Sequence, residues 1–202
     1  MLVRRPTPDF IYLTGGAALS GAVAAILPPH DTTDPAKQAT TAGTAVVADA
    51  KVEDPTIRVG DILFADLVST YGLTAIASGP ETVANSNELE KLRKQNRSDL
   101  IFEYYTENWR TFYFLFDFTH LDIWYYGKAR LIETHTAKSI RQESCAHKPR
   151  LTPSTLTQEE LLADHGVKLR EAISATEELC IRTVREAFGL KGPEDDRSHQ
   201  SD

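Results

Sequence analysis

Residues 100–145, LIFEYYTENWRTFYFLFDFTHLDIWYYGKARLIETHTAKSIRQESC, decide the fold, because they carry most of the aromatic side chains in an alternating pattern. In Leu100–Arg110, one row takes Leu100, Phe102, Tyr104 and Thr106, and the other takes Ile101, Glu103, Tyr105 and Glu107. In Leu121–Ile132, Leu121, Ile123, Tyr125, Gly127, Ala129 and Leu131 alternate with Asp122, Trp124, Tyr126, Lys128, Arg130 and Ile132. Successive side chains of a strand point to opposite faces. One apolar and one mixed row therefore predict antiparallel strands with helices on one side and water reaching part of the other. Glu133–Lys138 has a turn composition and leads to a third strand over Ser139–Ala146.

Between the first two strands lies Thr111–His120, TFYFLFDFTH, with four phenylalanines and a tyrosine in ten residues. As an exposed loop it would present an unusually large apolar patch. Two readings stay open: the strands run on as one long hairpin whose rings pack on the sheet, or the segment folds back as a flap that meets a partner or a lipid. The candidate contact surface is Trp109, Phe112, Tyr113, Phe114, Phe116, Phe118 and Trp124.

Upstream, Asp54-Pro55 is a helix start, with a carboxylate for orphan backbone N–H groups and a proline where no donor is needed. Ile57, Ile62, Leu63, Phe64, Leu67, Val68 and Tyr71 follow at helical spacing, and Gly72 ends the run. Leu73–Ser78 reads as a short strand closed by Gly79-Pro80, and Asn87–Gln95 as a polar helix with Leu89 and Leu92 as its apolar contacts. A strand, a crossover helix and a second strand make a βαβ unit with parallel strands. Downstream, Thr157-Gln-Glu-Glu160 forms a capping box for a last helix carrying Leu161, Leu162, Leu169, Ile173, Cys180, Val184 and Phe188, which Gly189 ends. The order α-β-α-β-β-β-α predicts an α+β domain, a mixed but mainly antiparallel sheet of about four strands with helices on one face.

This domain spans residues 52–190, after a leader or flexible segment over 1–51 and before a charged, disordered tail over 191–202. Phe10–Leu27 (FIYLTGGAALSGAVAAIL) follows a basic start and loosely resembles a signal or membrane-associated segment, although Pro6, Pro8 and Asp9 interrupt the approach. A flexible leader is the equal alternative. Leu27–Thr44, rich in Pro, Asp, Thr and Ala, reads as a linker that buries too little apolar surface to offset its ordering entropy.

The chain has 202 residues, 41% of them hydrophobic, enough for one good core. Its net charge of −7 comes with no Lys/Arg block, which argues against nucleic acid and against polybasic lipid binding. A nucleophile elbow, P-loop, dinucleotide fingerprint, HExxH and EF-hand loop are all missing from the sequence. Glu103 and Glu107 share a face under strict alternation and are candidate paired carboxylates for a hydrolase, with solvated strand residues as the plainer account. His120, His135, His147 and His165 have no ligand spacing, and His30, Asp31 and Asp34 sit in a proline-broken loop, so neither a metal nor a cofactor is expected. Trp109 and Trp124 suit stacking on a sugar or headgroup, and suit a structural role better. Cys145 and Cys180 fall in different elements; they are read either as two buried thiols or as one bridge pinning the last helix to the sheet.

The runs VEDPTIRVGDILFADLVSTYG, SDLIFEYYTENWRTFYF, YYGKARLIETHTAKSIRQESC and LLADHGVKLREAISATEELC together resemble a group of uncharacterised proteobacterial envelope lipoproteins. Their pattern is a small-residue leader, a V-x-D-P helix start, an aromatic strand with Trp, an R-L-I-D-T-x-T-G-K hairpin and two cysteines. The likeness covers about Val52 to Cys180. Glu133 and Ala137 stand where the pattern has Asp and Gly, an exchange that is harmless if the turn needs no positive φ. No lipobox cysteine precedes the leader. The element order is also similar to that of the TolB amino-terminal domain and penicillin-binding-protein activator lipoproteins, an analogy of fold alone. The resemblance implies a non-enzymatic exported protein, periplasmic or outer-membrane associated. It would bind another protein in an envelope assembly, with a Cys145–Cys180 disulfide and possible membrane association through residues 10–27.

Overall fold

The computed structural model describes residues 1–12, 35–75, 81–82, 86–95, 98–114, 117–147 and 156–192. Two strands dominate, β3 (Leu100–Phe114) and β4 (Asp117–Glu133), paired antiparallel along nearly their whole length. The predicted strands therefore run on through most of Thr111–His120 as one long hairpin, while Leu115 and Phe116 lie outside the described residues. β5 (Ser139–His147) pairs antiparallel with β4 over Tyr125–Ile132, and the short β6 (Leu156–Thr157) pairs with β4 at His120 and Leu121.

The other edge corrects the expected leader. β1 (Leu2–Arg4) lies between β3 and the two-residue β2 (Glu81–Thr82), parallel to both, giving the order β2-β1-β3-β4-β5. Residues 1–51 are thus not simply a leader: Met1, Leu2 and Val3 are core, and Phe10 and Tyr12 are buried beside Trp109 and Tyr113. Ile11 continues the cover of β3, donating its N–H to the Trp109 carbonyl and accepting from the Thr111 N–H. Phe10–Tyr12 are therefore spent in the fold and not free to enter a membrane; residues 13–34 lie outside the described residues. Among the described residues no helix is long and apolar enough to cross a membrane.

Among the described residues four helices complete the α+β architecture: α1 (Pro35–Asp49), α2 (Pro55–Tyr71), α3 (Ser86–Gln95) and α4 (Gln158–Phe188). Asp54 caps α2, its carboxylate accepting from Thr56 N–H, and Gly72 ends the helix in the left-handed region. Thr157 and Glu160 form the capping box of α4 and Gly189 ends it. The expected strand over Leu73–Ser78 is not formed in its described part, and the βαβ unit is built instead from β2, α3 and β3 with β1 inserted between. α4 is also broken: Ala163 is extended and Asp164, His165 and Gly166 take positive φ, which turns a short first piece into the long second one. Gly166 is required there, because a Cβ would stand 2.5 Å from that of Ala50.

The helices do not all lie on one face. α1, α2 and α4 cover Phe102, Tyr104, Trp109, Ile123 and Tyr125 in the main core. α3 packs Leu89 and Leu92 on the opposite side, against Met1, Val3, Ile101 and Ile132. Cys145 on β5 and Cys180 on α4 are joined by a disulfide with their Cα atoms 5.1 Å apart, tying helix to sheet. Charged residues brace the helices: Arg58 reaches Glu177 and Glu178, and Arg185 reaches Asp66. Burial pushes the Glu177 carboxyl pKa up, against the opposing pull of Arg58.

Candidate contact surface

A β-bulge at Glu107 sets the surface. Thr106 pairs with Gly127 but Asn108 pairs with Tyr126, so one extra residue enters β3 and the alternation slips. Before the bulge Phe102, Tyr104 and Thr106 face the main core; after it Trp109, Thr111 and Tyr113 do. Arg110 and Phe112 are turned to the other face, opposite Trp124 and Asp122 of β4.

That second face has three zones. At the proximal end it is closed by α3. In the middle, fully buried Glu103 accepts from Arg5 Nε at 2.7 Å and from Arg130 Nε at 2.6 Å, and the Arg5 guanidinium lies 4.3 Å above the Tyr105 ring. Glu107 stands beside Tyr105 and Lys128. At the distal end the Phe112 and Trp124 rings meet edge to face, centroids 5.8 Å apart, and the Arg110 guanidinium stacks 4.5 Å over Trp124. Asp122 and His147 close this end, 3.6 Å apart. The rings of Phe112 and Trp124 are half-buried and held in place by these contacts.

The expected surface thus divides. Trp109 and Tyr113 are buried in the main core, Trp109 with its indole N–H on the Pro8 carbonyl and Phe10 against its ring, and they are not surface residues. Phe112 and Trp124 are half-buried on the other face. Phe114 and Phe118 belong to β3 and β4 by backbone, while their side chains and Phe116 lie outside the described residues. Of the two candidate carboxylates, Glu103 has both oxygens held by arginines, while Glu107 stands beside Tyr105 and Lys128. Among the described residues no group of three His, Cys, Asp or Glu stands close enough to hold a metal ion.

Beneath this surface the main core contains a polar chain. Thr7 contacts Thr56 at 2.7 Å, Thr56 meets Thr106 at 2.9 Å, Thr106 meets the Tyr125 hydroxyl at 2.9 Å, and Tyr125 meets Tyr104 at 3.0 Å. The Tyr104 hydroxyl ends 3.7 Å from Cys145 Sγ. Gly127 admits this arrangement, since a Cβ there would stand 2.4 Å from the Tyr104 oxygen. Burial pushes the Tyr104 pKa well up and that of Tyr125 up to about 12.

Sequence reasoning missed Arg110, whose place over Trp124 follows only once the bulge is known, and the outer edge of β5. There Ser139–Gln142 are exposed and Ile140 is 56% accessible. A bulge between the Leu131 and Ile132 pairings interrupts that edge.

No family model and no curated protein matches the chain. Among solved structures it is similar to a protein described as a homolog of the neuraminyllactose-binding hemagglutinin from Helicobacter pylori, at 9% identity, covering 92% of this chain and 81% of that one, with a TM-score of 0.38. It is also similar to PelC from Paraburkholderia phytofirmans, solved as a dodecamer, at 12% identity over 91% and 83% with a TM-score of 0.35. A third is lipoprotein GNA1162 from Neisseria meningitidis, at 15% identity over 72% and 80% with a TM-score of 0.26. At these scores the likeness is remote.

Proposed function

We propose that the chain is a non-enzymatic, protein-binding accessory subunit of a bacterial cell-envelope assembly, one of the envelope proteins its motifs resemble. Its partner would dock on the distal face of the hairpin. The observation that carries this reading is the Arg110–Trp124–Phe112 group, two half-buried rings and a stacked guanidinium on a sheet face that α3 leaves open. Tryptophan and arginine are the side chains that dominate protein interfaces, and rings already fixed lose little entropy on docking. The Cys145–Cys180 bridge supports an oxidising compartment, periplasmic or at the outer membrane, because cytosolic thiols are kept reduced.

The experiment is a pull-down from the native envelope with the wild-type chain and with Trp124→Ala. A partner retained by the first and lost by the second is expected; a partner held equally by both moves the contact elsewhere. Thiol counting on protein from its native compartment gives none free, and two free thiols would remove the argument for export.

A further inference from the structure

The distal face of the hairpin carries a cation without a counter-charge. Among the described residues the half-buried arginines Arg4, Arg5, Arg58, Arg93, Arg130 and Arg185 each hold a carboxylate, and Arg170 holds two backbone carbonyls. Arg110 is half-buried as well, and among the described residues it has neither an ion pair nor a hydrogen bond. Its Nε is fully buried with no acceptor, while the guanidinium is held 4.5 Å over the Trp124 ring. Native structures contain few such unmatched donors, and charged ones are the costliest. The acids of the same face are directed elsewhere: Glu103 to Arg5 and Arg130, Glu107 to Lys128, and Asp122 to His147 on β5.

Two neutral polar groups share this face. Beyond the bulge Asn108 belongs to the row of Arg110 and Phe112, and it pairs in register with Tyr126, which belongs to the row of Trp124. Both are half-buried. A guanidinium fork matches the two oxygens of a carboxylate, and the Trp124 and Phe112 rings suit the apolar groups beside it. A doubly charged phosphate fits less well, since Glu107 and Asp122 stand on the same two strands and the whole chain carries −7. We infer that the partner of this face presents a carboxylate side chain to Arg110, from an acidic segment of protein in which apolar residues flank the acid. The inference rests on the distal face of the hairpin being the docking face, and it names the chemistry that the docking partner brings.

A library of random dodecapeptides displayed on phage is panned against the full chain with its disulfide intact. The selected peptides are expected to be enriched in Asp and Glu beside apolar residues. Synthetic copies in which the acid is replaced by its amide bind about tenfold more weakly, and the acidic peptides lose about as much on Arg110→Gln. Arg110→Lys, which keeps the charge but not the fork, stays weaker than wild type; near-UV circular dichroism confirms that each variant is folded, and if Arg110→Gln is not, Arg110→Lys decides. Acid-dependent peptides that bind both variants as tightly as wild type overturn the inference, and so does a selection that yields no peptide. Selected peptides without acid enrichment overturn it too; if they still lose binding on Trp124→Ala, the docking face stands and only its acidic partner falls. Arg110-dependent binding to phosphatidylglycerol vesicles, without acidic peptides, would assign the cation to a lipid headgroup instead.

Discussion

The two halves of the long hairpin share two strands but differ in what covers them. Proximal to the bulge, residues 101–106 of β3 are buried from both sides, by α2 and α4 on one face and by α3, Arg5 and Arg130 on the other. Beyond it the core side is as well packed, but the opposite side carries only half-buried Arg110, Phe112, Asp122 and Trp124. Aromatic side chains of the same two strands therefore sit in two different settings. Tyr104, Tyr125 and Trp109 are structural because both strand and helix enclose them, whereas Trp124 stays half-buried on the opposite face. The single extra residue at Glu107 decides which rings of β3 beyond it face the core.

The largest test of this contrast is the tryptophan pair. Trp109→Ala is expected to cost about 3–5 kcal/mol, the range for emptying a buried aromatic site. Trp124→Ala loses an edge contact and a cation–π stack and should cost only about 1 kcal/mol. Urea midpoints at unchanged m-value report both. Equal losses would mean that the distal face is closed. Next comes the centre of the proximal half: Glu103→Gln removes a fully buried charge and leaves Arg5 and Arg130 unmatched, at about 3 kcal/mol, the low end for a broken buried pair because both arginines keep some solvent. A variant that keeps its stability would free Glu103 for another role.

The buried tyrosines give a pH signature of the same enclosure. Their folded pKa values are raised while the unfolded chain titrates near 10, so above about pH 10 the unfolded state sheds phenolic protons that the native state retains. Stability should therefore fall as pH rises from about 10 to about 12, by about 2–3 kcal/mol for Tyr125 alone, at 1.36 kcal/mol per unit. Denaturant midpoints across that window, read with tyrosinate absorbance, check it. In Tyr125→Phe the slope should be shallower by the contribution of one phenol.

What the sequence made legible is what local chemistry dictates. Asp54-Pro55 and Gly72 bound α2, Thr157 and Glu160 cap α4, and period-two alternation marks β3 and β4, because caps and pleats depend on neighbours a few residues away. β1 was hidden because three residues show no period; Leu2, Val3 and Arg4 become a strand through parallel pairing with residues about a hundred positions later. The side taken by α3 was hidden because Leu89 and Leu92 fit either face. The bulge mattered most for the site. Strict alternation puts Trp109 in the row of Glu103, and the slip at Glu107 moves it into the core while turning Phe112 outward.

The smallest effect concerns the turn that ends the proximal half. Ala137 has φ of 59° and so the turn does require the left-handed region, contrary to the condition under which alanine there is harmless. The conformation is imposed by its neighbours: Glu133 N–H donates to the Lys138 carbonyl, Thr136 pairs with Glu133, and Lys138 N–H reaches the Thr136 hydroxyl. A β-carbon in this region costs about 1–2 kcal/mol, while glycine gives back about 0.4–1 kcal/mol by loosening the unfolded chain. Ala137 is exposed, so Ala137→Gly removes no packing, and the balance predicts a gain of about 0.5–1 kcal/mol. For a domain of this size that is a rise of about 1–4 °C in Tm. An unchanged or lower Tm would show that the turn between β4 and β5 relaxes to negative φ in solution, and that the rigidity of the proximal half stops short of its last turn.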